Sequence, residues 1–201
     1  MKVISSLDID LDALVLALKD GKTIVYPTET AYGLGCDATN QNAVDRIFEI
    51  KRRQKDKPVL VVVPDECMAR EYIEWNDKTE ELAQKYWPGP MTLVAHTKIG
   101  VNLARGVMSS DGTAAFRVVD HPIASALAEK LGRPLVSTSA NLSSYASPYS
   151  IEEVLEMFKN QEVQPDIVID AGELISKNLS TVVKVVGGRV EVLRQGELIV
   201  E

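Results

Sequence analysis

The apolar run Val59–Val63 constrains the fold more than any other stretch of this sequence. Its five consecutive aliphatic residues, introduced by Pro58, leave no polar side chain on either face of a strand. A strand with one face in water alternates apolar and polar residues, whereas a strand inside a covered sheet reads as an unbroken apolar run. We therefore expect a central strand here, in a sheet that is covered on both faces.

Helical and strand patterns alternate along the rest of the chain. Their periodicities and end signals predict helices over residues 8–19, 42–51, 65–75, 77–87, 121–132 and 151–160. Strands are predicted over residues 22–27, 58–63, 91–97, 112–119, 134–139 and 166–171. Residues 180–194 form a predicted hairpin that turns at Gly187-Gly188. These elements indicate an α/β fold with an open, twisted, mixed sheet of parallel and antiparallel strands. Because no repeat or linker divides the chain, we expect one domain over residues 1–201.

Composition excludes several classes of protein. The chain has 201 residues, of which 45% are hydrophobic, which is enough for a sizeable core. It has no run of about 20 apolar residues, so we expect no membrane partner. Its start lacks the basic and apolar blocks of an export signal, so we expect a cytoplasmic protein with Cys36 and Cys67 reduced. The lone residues His96 and His121 give no metal-ligand spacing, so no protein-held metal is predicted.

A basic segment, Lys51–Lys57, interrupts an otherwise acidic chain. It carries five basic residues and one acid, whereas the whole chain has 29 acidic and 22 basic residues and a net charge of −7. In an extended segment Lys51, Arg53, Lys55 and Lys57 would point the same way. Such a comb of cations suits a polyanion of triphosphate size. The alternative is a solvated surface, which is what most charge runs form.

The loop Pro27–Gly35 follows a predicted strand and offers hydroxyls, the carboxylate of Glu29 and two glycines. Ligands of α/β folds bind outside the carboxyl ends of strands, although a plain surface turn would have similar residues. The pattern Gly33-x-Gly35-x-x-Ala38 resembles a dinucleotide-binding turn. The glycines of that turn lie directly between strand and helix, whereas six positions separate Pro27 from Gly33 here. We therefore reject a nicotinamide cofactor.

Two further stretches indicate an anionic ligand. Residues Ser137–Pro148 contain six Ser or Thr among twelve residues, which suits an anion-binding nest or a serine-rich turn. Arg117 lies inside an apolar strand and needs an anionic partner, either an internal acid or a substrate carboxylate. The residues alone thus predict a cleft that binds a phosphorylated small molecule, for which ATP is the best candidate, together with a carboxylate.

Seven motifs occur in the order found in the YrdC/TsaC family, and the chain resembles that family over about residues 5–200. The motifs are YPTETAYGLG, K-x-R with a following KP, WPGPMTLV, FRVVDHP, STSAN, STVV and LRQG. The resemblance implies the single-domain form of an open α/β fold around a concave, basic cavity. It also implies an L-threonylcarbamoyladenylate synthase, which condenses L-threonine, bicarbonate and ATP and releases pyrophosphate. The product would serve a separate tRNA threonylcarbamoyl transferase complex that makes N6-threonylcarbamoyladenosine at position 37 of tRNA.

The resemblance also assigns roles to residues of this sequence. Lys51 and Arg53 would be catalytic. The ATP-binding residues would be Arg53, Lys57, Thr113, Ser139, Asn141, Ser147 and Arg194. The threonine-binding residues would be Thr30, Arg117, Ser137 and Ser180. Mg²⁺ would be held by the ATP phosphates and water rather than by a protein cage.

Two alternatives stay open at this stage. The first is a non-catalytic module that binds double-stranded RNA or tRNA or assists ribosome maturation, using the six basic residues between Arg46 and Lys57. The net charge of −7 argues against a broad RNA footprint, although weak tRNA contact would remain compatible with it. The second alternative keeps adenylate chemistry but replaces threonine with another amino acid or with carbamoyl phosphate. The sequence departs from the family pattern at Gln54 and Lys184, and these departures bear on loop shape and nucleotide contacts rather than on the reaction.

Overall fold

The computed structural model describes residues 1–175 and 179–200. All six predicted helices are present in these ranges, most of them slightly shorter than predicted. They are α1 (Leu11–Lys19), α2 (Gln41–Lys51), α3 (Glu66–Tyr72), α4 (Asp77–Tyr86), α5 (Pro122–Leu131) and α6 (Ile151–Phe158). No helix in the described part of the chain is long and apolar enough to cross a membrane.

Eleven strands in the described ranges form two sheets rather than the one sheet that the sequence predicted. The strands are β1 (Lys2–Ser5), β2 (Ile24–Tyr26), β3 (Gly33–Gly35), β4 (Val61–Val63), β5 (Met91–His96), β6 (Thr113–Val118), β7 (Leu135–Val136), β8 (Thr138–Ser139), β9 (Ile167–Asp170), β10 (Thr181–Val186) and β11 (Arg189–Arg194). One sheet has the order β1-β9-β2-β3-β8 and the other β11-β10-β5-β6-β4-β7. Each contains parallel and antiparallel pairs, so the predicted α/β class with mixed pairing is confirmed.

The apolar run occupies the covered position that its composition demands. Strand β4 pairs with β6 on one side and β7 on the other. Val61 and Val63 belong to the larger hydrophobic core, whereas Val62 faces a second core that includes residues of α1 and α5. Both faces of β4 are therefore buried, as predicted. The predicted hairpin is also confirmed as the antiparallel pair β10 and β11.

Strand β3 was predicted as part of a polar loop, and this prediction was wrong. Residues Gly33–Gly35 pair with β2 on one side and β8 on the other, and all three are buried. A Cβ atom added to Gly35 would lie 2.1 Å from the carbonyl oxygen of Val136. This glycine therefore allows β3 to approach β7 closely and is not a contact point for a ligand. Strand β1 was also missed.

The predicted strand over residues 134–139 is divided between the two sheets. Strand β7 belongs to the six-stranded sheet and β8 to the five-stranded sheet, and Ser137 is the single residue between them. The N–H of Ser137 donates to the carbonyl oxygen of Leu60 at 2.9 Å, which anchors the crossing next to β4. The chain thus passes from one sheet to the other at a residue that the sequence assigns to the site.

Candidate functional site

A cavity of about 270 Å³ is lined by residues from both sheets. Its lining includes three arginines, Arg53, Arg117 and Arg194, and several hydroxyl groups, whereas no carboxylate lines it within the described ranges. These arginines come from the segment after α2, from β6 and from the end of β11. A small molecule with negative charges fits such a lining because charge-assisted hydrogen bonds to guanidinium groups are strong.

The four residues predicted to bind threonine all line this cavity and are all buried. We call them the inner wall: Thr30, Arg117, Ser137 and Ser180. Arg117 is 3% exposed, and its Nη1 donates to Thr30 Oγ1 at 3.2 Å. The Thr30 hydroxyl lies 3.0 Å from the Thr28 hydroxyl, which donates to the carbonyl oxygen of Ala31. A chain of hydrogen bonds therefore fixes this part of the cavity.

Arg117 lies beside an internal acid, which is one of the two kinds of anionic partner that the sequence predicted for it. Oε1 of Glu29 is 3.5 Å from Nε of Arg117, and both side chains are largely buried. Neither of the Glu29 carboxylate oxygens has a hydrogen-bond partner among the described residues. The ion pair thus balances charge without satisfying the hydrogen-bonding capacity of either group.

Ser180 connects the inner wall to a more exposed pair of arginines, Arg53 and Arg194, which we call the outer wall. The Ser180 hydroxyl lies 2.9 Å from the Thr92 hydroxyl. Nη2 of Arg194 donates to the Ser180 carbonyl oxygen at 2.8 Å and to its hydroxyl at 3.1 Å. Burial and, to a lesser degree, the charge of Arg117 lower the pKa of Arg194. Thr92 was missed by the sequence analysis, although a threonine in the apolar strand β5 was a signal for it.

Arg53, the other member of the outer wall, is held by the main chain that follows it. Its Nε donates to the carbonyl oxygen of Lys57 at 2.8 Å and its Nη2 to that of Pro58 at 3.1 Å. Burial lowers the pKa of Arg53. Lys57 itself is exposed and does not line the cavity, so its main chain rather than its ammonium group contributes to the arrangement.

Lys51 does not stand in a comb with the other cations, because α2 extends to this residue and buries it. Its ammonium group donates to the carbonyl oxygen of Ser139, to that of Asn141 at 2.8 Å and to Asn141 Oδ1 at 3.0 Å. These three acceptors match the three N–H groups of a lysine. Burial and the nearby Arg53 charge lower the pKa of Lys51 to about 7. Lys51 therefore fixes the turn over residues 139–141, and Ser139 lines the cavity.

The prediction that the basic residues Lys51–Lys57 form an extended comb was wrong. Arg52, with φ of 49°, ends α2 in the left-handed region and turns the chain. Its guanidinium group donates to Gln161, Lys55 pairs with Asp45 at 3.4 Å, and Arg46 pairs with Asp166 at 3.3 Å. The basic residues thus point in different directions and do not form one surface. This dispersal removes the main support for an extended RNA-binding face.

Besides Lys57, three residues predicted to bind ATP lie outside the cavity lining. Asn141 is buried beside Lys51, and its Oδ1 also accepts from the Ser139 hydroxyl at 2.6 Å. Thr113 lies in an adjoining cavity of about 190 Å³, which shares residues of the 58–59 segment with the first. Ser147 lies in a separate groove beside α6.

The adjoining cavity has its own ion pair. The Thr113 hydroxyl donates to Oδ1 of Asp111 at 2.6 Å, and Nζ of Lys184 lies 2.7 Å from Asp111 Oδ2. These two hydrogen bonds hold the pKa of Asp111 well below its usual range, and the bond from Lys184 has the larger effect. The carboxylate of Asp111 thus balances the positive charge of Lys184. Within the described ranges no group of three or more His, Cys, Asp or Glu residues has the arrangement of a metal site.

Residues 16–196 match the sequence model of the Sua5/YciO/YrdC family, which is described as "Telomere recombination". The chain is similar to a threonylcarbamoyl-AMP synthase of Vibrio vulnificus strain YJ016, with 36% identity over 155 residues, 76% of this chain and 82% of that protein. A threonylcarbamoyl-AMP synthase of Pyrococcus abyssi is 37% identical over 188 residues, which cover 92% of this chain and 53% of that protein.

The fold has a close counterpart among solved structures. The structure of P. abyssi Sua5 complexed with L-threonine matches with a TM-score of 0.84 and 33% identity, over 97% of this chain and 57% of that one. This chain therefore spans little more than half of the Pyrococcus proteins that it matches. The likeness extends over nearly all of the present fold.

Proposed function

Because the chain belongs to the Sua5/YciO/YrdC family, we propose that it is a threonylcarbamoyl-AMP synthase, which joins L-threonine, bicarbonate and ATP and releases pyrophosphate. One observation carries this proposal beyond family membership. Residues of four motifs that are distant in the sequence, Thr30, Arg117, Ser137 and Ser180, converge on the inner wall of one cavity. Their guanidinium and hydroxyl groups suit a small hydroxylated amino acid.

In the proposed complex, L-threonine occupies the inner wall. Arg117 binds its carboxylate, because a guanidinium group offers paired donors of matching geometry. The hydroxyls of Thr30, Ser137 and Ser180 are available for the polar groups of the amino acid. Since these side chains are buried, they lose little freedom on binding, which favours a defined orientation of the substrate.

ATP occupies the outer wall and extends toward the adjoining cavity. Arg53 and Arg194 face its phosphates, Ser139 contributes a hydroxyl, and Thr113 becomes a contact if the nucleotide reaches past residues 58–59. Lys57 and Ser147 do not line the cavity and would contact the nucleotide only where it extends beyond it. Asn141 acts through its hydrogen bonds to Lys51 and Ser139. Mg²⁺ would accompany ATP as its counter-ion and would be held by phosphate oxygens and water, since the cavity lining offers no carboxylate in the described ranges.

The reaction then depends on position and charge. The threonine nitrogen forms a bond to the carbon of bicarbonate-derived carbon dioxide and loses a proton, which gives a carbamate. A carbamate oxygen attacks the α-phosphorus of ATP, and the bond to the bridging oxygen breaks, so pyrophosphate leaves with the electron pair. Both reactants are anions, and the arginines offset their repulsion in a site where charges interact strongly. Lys51 is a positioning residue here, because its three N–H groups are occupied.

The product would supply a tRNA threonylcarbamoyl transferase, and the protein would act in the cytoplasm. The similarity to synthases and the dispersal of the basic residues both support the enzyme over the RNA-binding module. A dissociation constant for RNA below the micromolar range, rising steeply with salt concentration, would favour the module instead.

Pyrophosphate release tests the proposal. We expect release from ATP only when L-threonine and bicarbonate are both present, and threonylcarbamoyl-AMP should appear by mass spectrometry. Single omissions of threonine or bicarbonate are the controls. L-serine and carbamoyl phosphate, each offered in place of L-threonine, test the acceptor. Release without threonine, or none from a folded sample, would contradict the proposal.

A further inference from the structure

Glu29 is a buried carboxylate whose own hydrogen bonds are missing. It lies on the loop between β2 and β3, with 10% of its side chain exposed. Neither carboxylate oxygen has a hydrogen-bond partner in the part of the chain that the structure describes. A buried charge without hydrogen bonds does not favour folding, so the stability of the protein does not explain this residue.

Arg117 is the cation that faces Glu29. The Nε atom of Arg117 lies 3.5 Å from Glu29 Oε1 and has no hydrogen bond within residues 1–175 and 179–200. A second nitrogen, Nη1, donates to Thr30 Oγ1. The third nitrogen, Nη2, has no protein acceptor in the same ranges. The guanidinium group is thus hydrogen-bonded to the protein at Nη1 and ion-paired with Glu29 at Nε, while Nη2 is left for a ligand.

Two other ionisable groups feel the charge of Glu29, and neither competes for this role. Burial raises the pKa of Tyr26, so its phenol stays neutral. His121 feels the Glu29 charge, but burial lowers the pKa of His121, so its imidazole is neutral at pH 7. On the other side, Arg117 raises the local positive potential at Arg194, whose pKa falls in part for that reason. Glu29 is therefore the carboxylate that offsets the charge of Arg117 before a substrate arrives.

We propose that Glu29 is a positioning residue for substrate recognition, which holds Nε of Arg117 so that Nη2 faces the carboxylate of the amino acid on the inner wall. This inference rests on the proposed function. Glu29 does not itself line the cavity in the described ranges and acts through Arg117. Removing its charge should therefore weaken recognition of one functional group of the substrate and leave the others unchanged.

A pair of ligands separates this role from a general effect on folding. L-threonine and L-threoninamide differ at the carboxylate alone, and calorimetric titration gives the preference of each variant for the acid. For the wild type we expect a clear preference for L-threonine. For Glu29→Gln, which keeps the size of the side chain, we expect that preference to fall about tenfold, which is the usual scale for one charged hydrogen-bonding contact. Glu29→Asp keeps the charge and should restore part of the preference.

Two controls complete the experiment. Glu129→Gln removes the same charge from an exposed site on α5 and should change neither affinity. The affinity for ATP should also be unchanged in Glu29→Gln. An unchanged preference in Glu29→Gln, or equal losses for both ligands, would overturn the inference while leaving the proposed function intact. Failure of both Glu29 variants to fold would overturn it too, and a wild type that binds neither ligand would remove the proposed substrate as well.

Discussion

The inner and outer walls of the cavity both carry guanidinium groups but are built differently. The inner-wall residues are between 3% and 6% exposed, and the polar groups of Thr30, Arg117 and Ser180 bond to one another or to nearby side chains. The outer-wall arginines are more exposed and are held mainly by main-chain carbonyl oxygens. A wall that is rigid before binding selects by geometry, whereas cations on an accessible wall act chiefly by charge. We therefore expect substitutions on the two walls to affect different substrates.

The largest effect should come from the inner wall. In Arg117→Lys the charge remains but the fork of donors is lost, along with the contact to Thr30. Two charged hydrogen bonds are worth about 1.5–3 kcal/mol each, so kcat/KM for L-threonine should fall about 100-fold or more. The KM for ATP should change little. Steady-state pyrophosphate release, with each substrate varied in turn, measures both values.

Arg189→Lys is the matched control for this prediction, because Arg189 is exposed at the start of β11. It should behave as the wild type. A loss of less than about threefold in Arg117→Lys would mean that charge alone suffices at the inner wall. The two walls would then not differ in the way that their burial indicates.

A smaller effect is expected on the outer wall, and it should fall on ATP. Arg53→Ala removes a guanidinium group from the cavity lining and should raise the KM for ATP about 30-fold, the scale of one charged contact. Lys55→Ala should stay within about twofold of the wild type, because exposed pairs such as that with Asp45 contribute little. Equal losses in the two variants, measured by pyrophosphate release at several ATP concentrations, would show that the basic segment works as diffuse charge.

The elements predicted correctly from the sequence are those whose signal is local. The run Val59–Val63 has no polar side chain, and this is sufficient to place β4 between two covered faces. Strand β3 carries no such signal, because two of its three residues are glycines and its hydrogen bonds come from β2 and β8. The division of residues 134–139 at Ser137 was likewise invisible, since it depends on which sheet each half joins.

The site was likewise predicted only where the sequence carries a local signal. The inner wall was assigned from motifs, and all four of its residues meet in one cavity. The position of Lys51 could not be predicted, because its acceptors lie about 90 residues further along the chain. The charge pattern placed Lys51 with Lys55 and Lys57 because it counts residues along the chain. Burial in the folded protein instead separates Lys51 from both.

Lys51 fixes the turn that carries Ser139 of the cavity lining, and its contribution to stability should depend on pH. The pKa of Lys51 is about 7 in the folded protein and 10.5 in an unperturbed lysine. Between these values the unfolded chain holds a proton that the folded protein has released, so stability rises with pH there, by at most about 1.4 kcal/mol per pH unit. Below pH 7 both states are protonated and the slope disappears.

Urea unfolding of the wild type and Lys51→Met from pH 6 to 9 should show the free energy of unfolding of the wild type rising relative to that of the variant above pH 7. Lys55→Met should run parallel to the wild type. Parallel curves for Lys51→Met would mean that the ammonium group keeps its proton, held by its three oxygen acceptors.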